Sequence, residues 1–323
     1  MTRIVLFVLV FLCAAPAATL EMSVRPISPG GIWKSDGVGS LSFLGGWTLS
    51  AEDETFGGFS ALEVFDGDLL SVSDHGGLIN LGPLETWRNK TAAHKKQVAW
   101  RSIPVDRSAL KGRGPATDAE SMTIDQHGNL LISFEREHRI QVHKSLEAKP
   151  YTYEVPIALR RPAPLNFGVE AMTTLNDGRI FAVSERVKRD GGFRAYLISG
   201  DKGQKRELMV YVPEEDWLPS GATTLPNGDL LLLERRVSVS LLGFRTRLVL
   251  LPKADLFAGA RLKPQPLFTF GFGSVGADNV EGIINVVNKD GQLEIWAITD
   301  DNFRSFQRTH LLRFNLQLEQ PKT

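Results

Sequence analysis

The chain has 323 residues with 37 basic and 37 acidic side chains, so its formal charge is zero and no global field recruits nucleic acid. Its one cysteine, Cys13, lies in an N-terminal apolar run. Disulfides, a cysteine nucleophile and thiolate metal ligands are therefore excluded from the rest of the chain.

That run is the first predicted element. Met1-Thr2-Arg3, the apolar stretch Ile4 to Ala15 and the small-residue segment Ala15-Pro16-Ala17 have the three parts of a secretory signal peptide, with cleavage expected after Ala17. The apolar stretch falls short of the roughly 20 residues that span a bilayer. The expectation is a periplasmic or secreted protein with no membrane span after cleavage. Residues 18–323 remain, 323 − 17 = 306 in number, and no Ser/Gly-rich or proline-rich linker divides them. They are expected to form a single domain.

Five copies of one hairpin follow in chain order: FSALEVFDGDLLSVSDHG from residue 59, AESMTIDQHGNLLISFERE from 119, VEAMTTLNDGRIFAVSER from 169, SGATTLPNGDLLLLERR from 220 and VEGIINVVNKDGQLEIWAITDDN from 280. Each is an apolar strand, a turn containing Asp-Gly, Asn-Gly or His-Gly, and a second apolar strand ending in an acid. A period near fifty built from antiparallel strands predicts an all-β protein, a β-propeller of four-stranded blades around a central channel. Dividing 306 residues by about 50 per blade predicts six blades. The sixth would be completed by pairing Leu41–Leu44 with His310–Leu316, which removes two exposed edges. The basic stretch Arg88 to Lys96 is expected to be a solvated loop between blades.

A hairpin sets the start of its first strand beside the end of its second. Glu120 then lies near Glu135, Glu170 near Glu185, and Glu281 near Asp300 and Asp301, all at one mouth of the channel. In the first copy the corresponding residues are Ser60 and Asp74, and in the fourth Ser220 and Glu234. Crowded carboxylates need a positive partner. One candidate is Ca²⁺ held by Glu120, Glu170, Glu281 and Asp300 or Asp301, since calcium takes six to eight oxygen ligands. The other is arginine: Arg136, Arg186 and Arg235 follow the terminal acids, and they would either form structural ion pairs or hold an anionic group of a ligand. His75, next to Asp74, could move a proton or simply be a polar rim residue.

The closing segment NVEGIINVVNKDGQLEIWAITDDNFRSFQRTHLLRFNL resembles the C-terminal signature of the phytase-like propeller family, whose members are described as having esterase-like activity. The matching residues are Asn279-Val280-Glu281-Gly282, Thr299-Asp300-Asp301-Asn302-Phe303 and Gln307-Arg308-Thr309, with Val169-Glu170-Ala171 and Ser184-Glu185-Arg186 earlier in the chain. The resemblance implies a calcium-assisted hydrolase of a small ester or phosphoester. Ser60 and Ser220, where other copies carry glutamate, depart from a fully acidic ring. A monomer is expected, and the alternative reading is a non-catalytic propeller that binds a small anion or a protein at the same mouth.

Overall fold

Alternation of apolar runs with turn-forming dipeptides makes most of the described residues strand. In the computed structural model the described residues are 17–27, 34–35, 39–89, 92–106, 117–153, 168–238, 243–270, 279–305 and 307–318. Strands β1 (Ala18–Pro26), β2 (Lys34–Ser35) and β3 (Gly39–Ala51) precede the first repeat. The first repeat supplies β4 (Phe59–Phe65) and β5 (Asp68–Ser73), followed by β6 (Gly77–Pro83), helix α1 (Leu84–Arg88) and β7 (His94–Ser102). From the second come β8 (Ala119–Ile124), β9 (Leu130–Phe134), β10 (Arg139–His143) and β11 (Tyr151–Tyr153). The third begins β12 (Val169–Thr174), β13 (Ile180–Arg189), β14 (Gly192–Ser199) and β15 (Lys205–Tyr211). The fourth begins β16 (Leu218–Thr224), β17 (Leu230–Ser238), β18 (Gly243–Leu251), β19 (Arg261–Leu262) and β20 (Gln265–Thr269). The last comprises β21 (Val280–Val287), β22 (Leu293–Thr299) and β23 (Thr309–Leu318).

These strands make antiparallel blades in the orders β4-β5-β6-β7, β8-β9-β10-β11, β12-β13-β14-β15, β16-β17-β18-β20 and β21-β22-β23-β3. The inner strands β4, β8, β12, β16 and β21 pack each on the next, and β21 returns to β4. Their approach is close: a Cβ on Gly282 of β21 would come within 2.8 Å of the backbone at Ala61 and Leu62 of β4. The fold is a β-propeller, and the expectation of six blades is corrected. Among the described residues there are five blades, and their ring is already closed. The division overcounts because a blade is often longer than fifty residues: Ser60, Glu120, Glu170, Ser220 and Glu281 are separated by 60, 50, 50 and 61.

The predicted pairing of the chain's two ends does occur. Leu41 of β3 lies opposite Leu316 of β23, and Phe43 opposite Phe314. The blade they complete belongs to the fifth hairpin and is not a separate sixth. Strand β1 then pairs with both β3 and β7, which fuses the fifth and first blades into one nine-stranded sheet.

Each pair of neighbouring blades encloses one apolar cluster. Between the fifth and first, Trp47 stacks on Trp296 at 6.0 Å and meets Trp87 edge-on at 5.5 Å. The basic stretch is not wholly a solvated loop: Arg88 ends α1 with an ion pair to the buried Glu294 at 3.0 Å, and Lys96, in β7, lies 5.0 Å over the Trp87 ring. Side chains also stitch inner strands together. The Met172 N–H donates to Ser121 Oγ at 3.1 Å and the Thr174 N–H to Thr123 Oγ1 at 3.0 Å. Such bonds fix the channel wall on which the site is built.

Candidate functional site

Every inner strand breaks its pairing at the same place. The register shifts between Phe59 and Ala61, Ala119 and Ser121, Val169 and Ala171, Pro219 and Gly221, and Val280 and Gly282. A β-bulge leaves one residue unpaired and re-aims its side chain. The bulged residues are Ser60, Glu120, Glu170, Ser220 and Glu281, so the repeated bulge gathers them into one five-membered layer.

A second layer comes from the ends of the second strands. Ser73, Phe134, Ser184, Glu234 and Thr299 pair opposite the residue just before each bulge. The next residue along is Asp74, Glu135, Glu185, Arg235 or Asp300. In three blades this residue's N–H donates to the carbonyl two residues before the bulge: Asp74 to Gly58 at 3.0 Å, Glu135 to Asp118 at 2.8 Å and Asp300 to Asn279 at 2.9 Å. Among the residues whose side chains are described, the layer is thus acidic except at Arg235. The expectation that Glu234 reaches the mouth is corrected, because a shift of one residue along a strand reverses its face. Glu234 instead points between blades, where Tyr211 Oη donates to it at 2.7 Å and Arg247 Nε at 2.6 Å.

The carboxylates act on one another around part of the mouth. Burial pushes the Glu120 carboxyl well above its usual range, and Glu135, Asp118 and Glu281 push it further, against the pull of Arg235. Asp300 is pushed up to about 9, first by burial and next by Glu281, with Asp74 and Asp301 adding to it and the Asn302 N–H opposing. Burial also raises Asp74, an effect that His75 opposes and Asp118 reinforces. Asp74, Asp118, Glu120, Glu281 and Asp300 therefore form a closed circuit of carboxyls, each disfavouring ionisation of its neighbours, drawn from the first, second and fifth blades. Oxygens of Asp118, Glu120 and Glu135 all lie within 4.8 Å of one another.

Two of the predicted arginines already have partners in this circuit. Arg136 pairs with Asp118, and Arg235 reaches from the fourth blade to Glu281. Arg186 and Glu185 lie in β13, but their side chains are outside the described residues. Glu170 is buried in the bulge layer. Asn279 is fully buried: its Nδ2 donates to Asp300 Oδ2 at 3.0 Å, and its Oδ1 has no hydrogen-bond partner among the described residues.

Asp300 and Asp301, alternatives for one ion in the sequence, have different surroundings. Asp301 is a clasp. Its Oδ1 accepts the N–H groups of Gly58 at 3.0 Å and Phe303 at 3.1 Å, and its Oδ2 accepts Thr309 Oγ1 at 3.2 Å. Asp300 is more buried and faces Glu281 electrostatically. His75 is exposed on the rim, its ring stacked on Phe303 at 4.0 Å and 9°. Sequence reasoning missed Asp118. The available signal is the recurrence of a polar residue two before the bulge, Asp118-Ala-Glu120 matching Asn279-Val-Glu281.

The five blades and their polar, mainly acidic mouth define the chain as a β-propeller. Within that class the chain belongs to the phytase-like family, described as having the esterase-like activity of phytase, whose profile matches residues 54–303. No curated protein matches it. Similar solved structures include the PQQ-bound aldose sugar dehydrogenase of Streptomyces coelicolor, at 12% identity and TM-score 0.48 over 88% of this chain and 100% of that one. A thermostable family-43 glycoside hydrolase aligns at 11% identity and TM-score 0.48 over 90% and 98% of the two chains. A streptogramin B lyase aligns at 12% identity and TM-score 0.44 over 93% and 98%. No helix among the described residues is long and apolar enough to cross a membrane.

Proposed function

We propose that this protein is a metal-dependent hydrolase of a small ester or phosphoester, exported as a monomer and working at the acidic mouth. The observation that carries this reading is the circuit of five buried or half-buried carboxylates, with Glu135 beside it and two described arginines as counter-charge. Glu120, Asp300 and Asp74, raised first by burial and then by neighbouring carboxylates, are groups that a bound cation relieves. The donor set fits a hard cation, being all oxygen: Asp118, Glu120, Glu135, Glu281 and Asp300, with the unpartnered Oδ1 of Asn279 as a neutral ligand. Glu170 would contribute from the same layer. Bound there, Ca²⁺ would supply positive charge that polarises the ester and acidifies a water.

The chain's own residues would do the rest. Asp74 or His75 takes the proton as water adds to the carbonyl carbon or phosphorus, and returns it to the departing alkoxide as the ester bond breaks. Arg235, a cation of the terminal layer, would steady the charge that develops on the substrate's oxygens. The test is hydrolysis of p-nitrophenyl acetate and p-nitrophenyl phosphate by protein stripped with a chelator and then given calcium. Activity that disappears and returns supports the reading; no turnover with any divalent metal rejects it.

The Arg136–Asp118 and Arg235–Glu281 pairs favour a second reading, a non-catalytic propeller whose acidic ring is tied by arginine and which binds a small anion or a protein there. It predicts no calcium effect on melting.

A further inference from the structure

We infer that Phe303 is a positioning residue for His75, delivered to the rim by a strained loop for that purpose; the inference rests on the proton-transfer role proposed above. Asn302 and Phe303 both have left-handed backbone, with φ of 48° and 51°. Two adjacent non-glycine residues in that region are held only where the surroundings over-determine them, and such strain gathers at functional sites. Here the surroundings do so. Asp300 Oδ1 accepts the Asn302 N–H at 2.6 Å, Asp301 Oδ1 accepts the Phe303 N–H at 3.1 Å, and the Arg304 N–H donates to the Asp301 carbonyl at 2.8 Å.

The loop is also built into the first blade. Gly58 donates its N–H to Asp301. A Cβ on Gly57 would lie 2.7 Å from the Asp301 carboxylate, and one on Gly58 would overlap both Asp74 and the Phe303 ring. Ser73 Oγ holds the Gly57 carbonyl at 2.8 Å. Two glycines thus make room for an aromatic ring that is itself 37% exposed. Burying Phe303 is not what the arrangement achieves. What it does achieve is a face-to-face stack on an exposed imidazole, 4.0 Å away and 9° from parallel, with the imidazole next in sequence to Asp74. An unsupported histidine on a rim samples several rotamers. A flat ring against one face holds the imidazole in one plane beside Asp74.

The experiment combines a spectroscopic readout with kinetics on the full-length mature protein. Stacked under a phenyl ring, the His75 ring protons should resonate upfield of those of an exposed histidine, with assignment by His75→Gln. The shift should vanish in Phe303→Leu and persist in Phe303→Tyr. With p-nitrophenyl acetate, Phe303→Leu should lower kcat on the order of ten- to a hundredfold, as a misplaced catalytic group does, with KM little changed and Phe303→Tyr near wild type. Identical His75 resonances in wild type and Phe303→Leu would overturn the positioning. An upfield shift in a protein that shows no turnover under any condition leaves the stack standing and overturns the hydrolase reading, and the catalytic role of Phe303 with it.

Discussion

Arg235 of the fourth blade binds Glu281 of the fifth, and this pair joins a cation of the terminal layer to an acid of the bulge layer. Both side chains are largely covered, at 20% and 9% exposure. Arg235→Met should therefore cost about 3 kcal/mol in chelator, since breaking a covered pair leaves one charge uncompensated. Glu281 would then stand beside Glu120 and Asp300 with less relief, so calcium should bind this variant more tightly than wild type and recover most of the lost stability. Melting with chelator and with calcium checks both parts; equal losses in the two conditions would favour the purely structural ion-pair ring.

The pH dependence follows from the raised carboxyls. Asp300 in the folded chain titrates at about 9 against an ordinary value of 3.8, and Glu120 is raised in the same direction. The folded state therefore holds protons that the unfolded state has released, and stability from these groups falls as pH rises from about 4 towards 9. Metal-free protein should melt progressively lower across that window. Saturating calcium should flatten the slope, and Asp300→Asn should reduce it without calcium. A metal-free melting temperature independent of pH between 5 and 9 would contradict the assignment.

Much of this was legible in the sequence, for a physical reason: the turn dipeptides and the short apolar runs that flank them are local codes. They located five hairpins and the pairing of the Leu41–Leu44 segment with His310–Leu316, and they put Glu120, Glu281 and Asp300 at matching ends of their hairpins. What failed was register and count. Glu234 and Arg235 are adjacent, and the fourth copy carries its acid one position nearer the bulge than the second and third do, 234 − 220 = 14 against 135 − 120 = 15 and 185 − 170 = 15, so arginine faces the mouth while glutamate turns to Tyr211. Asp118 lies one residue before its strand begins, outside any strand pattern. The sixth blade was an artefact of dividing by a mean length, when β1 and β3 are spent on closing the ring.

Gly58 offers a sharp test of how tightly the first blade is keyed to the fifth. Its φ is 63°, and any Cβ there would strike Asp74 and Phe303. Gly67, in the first hairpin's turn at the far end, has φ of 85° with nothing within 4 Å of a built Cβ. Gly67→Ala should cost only backbone strain, about 1 kcal/mol. Gly58→Ala should cost more, about 2–3 kcal/mol, and should lower any ester turnover by displacing Asp74. Paired urea titrations and assays of the two variants suffice; equal costs would mean the loop yields freely.

Trp47 is where the closure of the ring can be measured. It sits in β3, 3% exposed, between Trp296 of the fifth blade and Trp87 of the first, in the cluster that also takes Met22 and Val24 from β1. A ring closed only by β3 and β23 would depend little on packing toward the first blade. One closed by the fused nine-stranded sheet should depend on it heavily, because Trp47 touches both blades at once. Trp47→Ala is expected to cost about 3–5 kcal/mol, the range for emptying a large aromatic site. Phe257→Ala, at a residue 57% exposed, should stay within about 0.5 kcal/mol of wild type. Urea unfolding of both variants reads the difference. A Trp47→Ala loss as small as that of Phe257→Ala would mean that the first and fifth blades are held together by their inner strands alone.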